Sequence, residues 1–127
     1  MEKIKYKTWH KKQKKLSKVN YVLNETSTDL QMLRSTALKD KNGKEIYEFD
    51  VIHLEETHGT VKSGYYIVAY HNACFMITKD AELNYMEHYL WFVADKSKII
   101  KSFFENQDEW NQLQIKSIKK QQNSLHK

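Results

Sequence analysis

Between Tyr65 and Thr78 two runs of β-forming residues, Tyr65 to Tyr70 and Cys74 to Thr78, are separated only by His71 to Ala73. Valine, isoleucine and aromatic side chains suit a pleated, partly buried surface, and a break this short permits only an antiparallel return. The spacing therefore predicts an antiparallel strand pair joined by a short loop, and the rest of the chain must supply the surfaces that cover it.

Further strand patterns flank this pair. Ile4 to Trp9 is close to a period of two, and Leu16 to Leu23 places Val19, Tyr21 and Leu23 on one face. Leu30 to Leu38 is a weaker strand, followed by Asn42-Gly43, a dipeptide that tolerates the positive φ angles of a tight hairpin turn. In Phe49 to Leu54, Phe49, Val51 and His53 share one face while Asp50, Ile52 and Leu54 share the other, which predicts a strand buried on parts of both faces. Lys79 to Glu87 reads as a loop or a turn of helix, Tyr89 to Ala94 as strand-like, and Ile99 to Phe104 as a last strand; over Tyr85 to Phe92 helix and strand remain open. Beyond Gln107, Trp110, Leu113 and Ile118 define the narrow apolar face of an amphipathic helix. With no proline and three glycines there is no flexible linker. The expected fold is mainly β (α+β), about seven short strands in a small curved antiparallel sheet or partly open barrel with a C-terminal helix. Residues 1–106 form the β-domain and residues 107–127 a basic helical tail.

The stretch Ser35 to Ile52 carries a specific pattern. From Thr36 it resembles a run in the YopX family of small phage and prophage proteins of Gram-positive bacteria, T-G-L-x-D-K-N-G-K-E-I-Y-E-G-D-I-V. The opening Met1 to Trp9, the Gly59-Thr60-Val61 strand entry and the Ile99 to Asn106 segment also match the family in order, so the likeness spans roughly residues 1 to 110. It implies a phage or prophage origin and brings no catalytic residues. The chain departs from the family pattern where Ala37 and Phe49 replace glycines, so a backbone that needs positive φ there is strained. Phe49 adds either core or contact surface.

Charge is unevenly distributed. Residues 1–18 carry +7 and residues 111–127 carry +4, so a total of +5 leaves −6 for the 92 residues between. Basic ends attract nucleic-acid phosphates through counterion release, or merely keep edges soluble. The candidate nucleic-acid-binding residues are Lys5, Lys7, Trp9, Lys11, Lys12, Lys14, Lys15, Lys116, Lys119 and Lys120. Lysine outnumbers arginine twenty to one, which disfavours sequence-specific readout by bidentate base contacts. The lone Cys74, the lack of an apolar signal segment and the lack of a membrane-length apolar run lead us to expect a soluble protein of the host cytoplasm.

Candidate reaction centres each have a plainer reading. His53, Glu55, Glu56 and His58 have metal-ligand chemistry, but along a strand they divide between two faces. His71 and Cys74 would need a second ligand pair, and a cysteine beside Phe75 and Met76 reads as structural. No phosphate-binding glycine loop is present, and Glu55-Glu56 and Asp108-Glu109 read as solvated carboxylates. A pocket built on His53, His58 and His71 is the remaining ligand-binding option. Of the aromatic stock, most of Trp9, Tyr65, Tyr70, Trp91 and Phe92 are expected to fill a small core.

The sequence thus points to a non-enzymatic accessory protein without cofactor or metal, acting by binding a host or phage protein. Inhibition of a host factor or defence system is the form implied by analogy. Phe49, Trp110, Leu113 and Ile118 are its candidate interface residues, and self-association through the helix or a sheet edge is expected. Nucleic-acid binding through the basic ends is the alternative.

Overall fold

The central pair forms as its composition dictates. In a computed structural model, which describes residues 6–10, 14–17, 30–105 and 109–113, Gly64–His71 and Cys74–Thr78 pair antiparallel from Ile67↔Thr78 to His71↔Cys74. The return is a two-residue turn with both Asn72 and Ala73 at positive φ, the backbone whose twist matches the flanking strands.

Nine strands are described, in chain order: β1 (Tyr6–His10), β2 (Lys15–Ser17), β3 (Leu30–Lys39), β4 (Glu45–Tyr47), β5 (Asp50–Leu54), β6 (Gly64–His71), β7 (Cys74–Thr78), β8 (His88–Tyr89) and β9 (Lys98–Ser102). They form two antiparallel sheets, one of four strands in the order β2-β1-β3-β4 and one of five in the order β8-β7-β6-β5-β9. The single sheet or partly open barrel expected from the strand count is therefore corrected to two sheets, neither closed on itself. Closure needs pairing between first and last strands, and here β8 and β9 lie at opposite edges.

The Asn42-Gly43 hairpin is present between β3 and β4, but its loop is organised by Asp40. One carboxylate oxygen of Asp40 accepts hydrogen bonds from the N–H groups of Asn42 and Lys44, both at 2.9 Å, and Gly43 alone of the dipeptide takes positive φ. Upstream, β3 carries a bulge: Ser35 pairs with Tyr47 and Lys39 with Glu45, so three residues of β3 face one of β4. Thr36 stitches it, its hydroxyl donating to the Ile46 carbonyl at 2.7 Å and accepting from the Leu38 N–H at 3.1 Å. Ala37 at the bulge has φ 62° and Phe49 in the β4–β5 turn has φ 64°, so both positions that replace glycine in the resembling pattern sit in the left-handed region.

Apolar side chains cover β5 and β6 on both faces, as the 49–54 pattern predicts. Ile52, Leu54, Tyr66, Val68 and Ile77 face Ile46, Leu90 and Val93 in the larger core. Val51 and Ile67, of opposite parity, pack with Trp110, Phe49 and Phe103. Residues 79–87 form no helix; Asp80 instead accepts from the N–H groups of Glu82 and Asn84 to hold a loop. The strand-like run Tyr89 to Ala94 is largely 3-10 turn, with the Val93 N–H on the Leu90 carbonyl at 3.0 Å, because Leu90, Val93 and Ala94 reach the core at helical spacing. Of the expected strand Leu16 to Leu23 only its start lies within the described residues. No described helix is long and apolar enough to cross a membrane.

Candidate protein-binding edge

At one edge of the five-stranded sheet, β8 pairs, among the described strands, only with β7, through Met76↔Tyr89 and Ile77↔His88. The chain then turns at once into the Leu90–Phe92 3-10 segment, which buries Leu90 and throws the next side chain outward. Trp91 is 61 % exposed, and Tyr89 and Tyr85 are also exposed. The Tyr89 and Trp91 rings stack 21° from parallel with centroids 6.1 Å apart, and Trp91 meets Phe92 edge-on. Phe92, half-buried, anchors this group to the larger core. The core expected of Tyr70 and Trp91 is thus overturned for both, Tyr70 being 42 % exposed, whereas Trp9 is buried and Tyr65 and Phe92 are half-buried. Both exposed rings follow from local geometry: Trp91 lies on the outer side of a 3-10 turn and Tyr70 near the tip of the β6–β7 hairpin.

The other sequence candidates occupy different places. Lys7 in β1 holds its ammonium 4.3 Å over the Tyr47 ring, Trp9 is buried and stacks on Phe104, and Lys14 is exposed in the β1–β2 turn. Lys15 opens β2, its backbone in register with His10. Lys5, Lys11, Lys12, Lys116, Lys119, Lys120 and Ile118 lie outside the described residues. Phe49 is half-buried, its ring 5.0 Å from Phe104, and Trp110 is buried edge-on to Phe103 with Leu113 packed beside that cluster. The start of the helical tail therefore docks on its own domain.

The histidine candidates do not converge. His53 lies against Tyr65, 4.4 Å between ring centres, and His71 sits at the hairpin end. Glu55, Glu56 and His58 line a shallow polar cleft of about 220 Å3 with Lys41 and Lys96. Among the described residues no three His, Cys, Asp or Glu side chains form a metal-binding group.

Two buried carboxylates shape the electrostatics away from the edge. Burial pushes Asp50 up to about 6, outweighing the N–H of Tyr47 and the charge of Lys7 that favour its ionised form. Burial also pushes Asp40 upward, but the N–H groups of Ile99, Lys44 and Asn42 and the Lys44 charge outweigh it and hold the carboxyl below the ordinary range. Desolvation raises Tyr47 and Tyr66 to about 12, so both are neutral phenols at neutral pH.

A family model described as YopX protein matches residues 1–108. The chain belongs to the YopX family. This member of the family also resembles the crystal structure of protein EF1440 from Enterococcus faecalis, with a TM-score of 0.57 and 17 % identity over 84 % of this chain and 97 % of that one. That likeness is one of fold. No curated protein matches this YopX chain.

Proposed function

We propose that this YopX protein is a phage or prophage accessory protein that acts without catalysis, by binding a host or phage protein through the edge formed by Tyr85, Tyr89 and Trp91. The observation that carries the reading is the stacked Tyr89–Trp91 pair held open to solvent beside an edge strand. Large aromatic rings bury much area at low entropic cost and are enriched in protein interfaces, so a stacked pair presented at a sheet edge supports a role in holding a partner. Modulation of a host factor fits the family's phage setting. The nucleic-acid alternative is less well supported, because Trp9 is buried and Lys7 is engaged with Tyr47, which takes both from a basic, base-stacking surface.

The test is paired affinity capture from host lysate with wild-type protein and the Tyr89→Ala, Trp91→Ala double variant. A partner retained by the wild type and lost from an equally stable variant supports the reading. Equal recovery by both would refute it.

A further inference from the structure

Residues 80–95 contain four carboxylates, Asp80, Glu82, Glu87 and Asp95, and no lysine or arginine. Glu82, Glu87 and Asp95 are exposed in the same segment that carries Tyr85, Tyr89 and Trp91, while Asp80 is occupied in holding its loop. A surface that combines bare aromatic faces with carboxylates attracts cations twice, by ring quadrupole and by charge.

The protein already uses that chemistry internally. The Arg34 guanidinium lies 3.9 Å over the Tyr70 ring while its Nε donates to Glu48 at 2.8 Å, an arginine clasped between an aromatic face and a carboxylate. Lys79 covers Tyr66 and Lys96 approaches Phe92. Among the described residues no lysine or arginine lies over Tyr85, Tyr89 or Trp91. Aromatic faces and carboxylates occur together in this segment too, with Lys96 reaching Phe92 on its inner side and the Tyr89 and Trp91 faces left to solvent.

We propose that the occupant of this edge is a lysine- and arginine-rich segment of the protein partner, its cationic side chains lying on Tyr89 and Trp91 and pairing with Glu82, Glu87 and Asp95. The inference rests on the binding role proposed above and names the chemistry of the partner. A polyanion such as nucleic acid is repelled by the same carboxylates.

The probes are a synthetic peptide alternating lysine and arginine with glycine and serine, and an analogue with glutamine at every basic position, each titrated into full-length protein by isothermal titration calorimetry, whose signal does not depend on Trp91. The expected result is binding of the basic peptide at least about tenfold tighter than the analogue, weakening as salt rises. Tyr89→Ala with Trp91→Ala, and separately Glu82→Gln, Glu87→Gln and Asp95→Asn together, should each lose about tenfold, whereas Glu55→Gln with Glu56→Gln in the polar cleft should bind as wild type. Equal binding of the two peptides, or wild-type affinity in the neutralised variant, would overturn the inference. So would concentration-dependent self-association at low salt that the Trp91→Ala change abolishes, since the occupant would then be a second copy. If lysate capture depends on Tyr89 and Trp91 while neither peptide binds, the cationic partner is wrong and the binding role stands; if capture ignores both residues, the binding role itself falls.

Discussion

The Asp40 carboxylate accepts a hydrogen bond from the main-chain N–H of Ile99 at 3.0 Å, joining residues 59 apart in sequence. The same carboxylate closes the β3–β4 loop, and the Lys41 N–H donates to the Ser97 carbonyl beside it, so one side chain ties the four-stranded sheet to the outer strand of the five-stranded one. Replacing Asp40 with alanine leaves three N–H groups without their acceptor and is expected to cost about 3 kcal/mol by denaturant titration. Because Asp40 lies below its ordinary value when folded, its contribution is present above pH 3.8 and is lost as pH falls through the lower folded value. The wild-type advantage over Asp40→Ala should shrink on acidification through that window.

Asp50 behaves in the opposite sense. Its folded value of about 6 exceeds the ordinary 3.8, so the fold favours the protonated form, and the stabilisation present below pH 3.8 is lost as pH rises through 6. Asn is uncharged and keeps an acceptor for the Tyr47 N–H. Thermal unfolding of Asp50→Asn should therefore lack the wild-type decline between pH 4 and 6, and the variant should exceed wild type by up to about 3 kcal/mol at pH 7.

Ala37 and Ala73 hold positive φ without the freedom of glycine. Ala37→Gly and Ala73→Gly should each stabilise by about 1 kcal/mol, since relief of left-handed strain exceeds the added entropy of the unfolded chain. At Phe49 the same relief competes with loss of the ring that packs on Phe104 and the Val51–Ile67–Trp110 cluster. A bulky half-buried aromatic outweighs one strained dihedral, so Phe49→Gly should destabilise by about 2 kcal/mol net. Stabilisation by Phe49→Gly in chemical denaturation would show that strain dominates instead.

Of the three tryptophans, Trp9 is 5 %, Trp110 4 % and Trp91 61 % exposed. Iodide should quench the wild-type emission through Trp91, and Trp91→Phe should remove most of the quenchable fraction while leaving the blue-shifted emission of the buried pair.

Much of the fold was legible because its signals were local. The 65–78 hairpin and the two-faced burial of β5 follow from alternation within a few residues, whereas the left-handed backbone at Ala37 and Phe49 follows from the resembling family run, which carries glycine at both positions. The division into two sheets was not legible, since it depends on long-range contacts such as Asp40 with Ile99 that leave no periodic trace. Nor was the aromatic edge, because in Tyr89 to Ala94 aromatic richness suggested a strand. The signal that could have found it was the spacing of Leu90, Val93 and Ala94, which sends those three inward and leaves Trp91 outside.

The most direct measurement of the central claim places a photo-reactive benzophenone side chain at position 91, or at exposed Thr60 as a control, and irradiates each protein in host lysate. Position 91 is expected to yield a discrete adduct of one partner protein and position 60 none. The same adducts from both positions, or none from position 91, would contradict the claim.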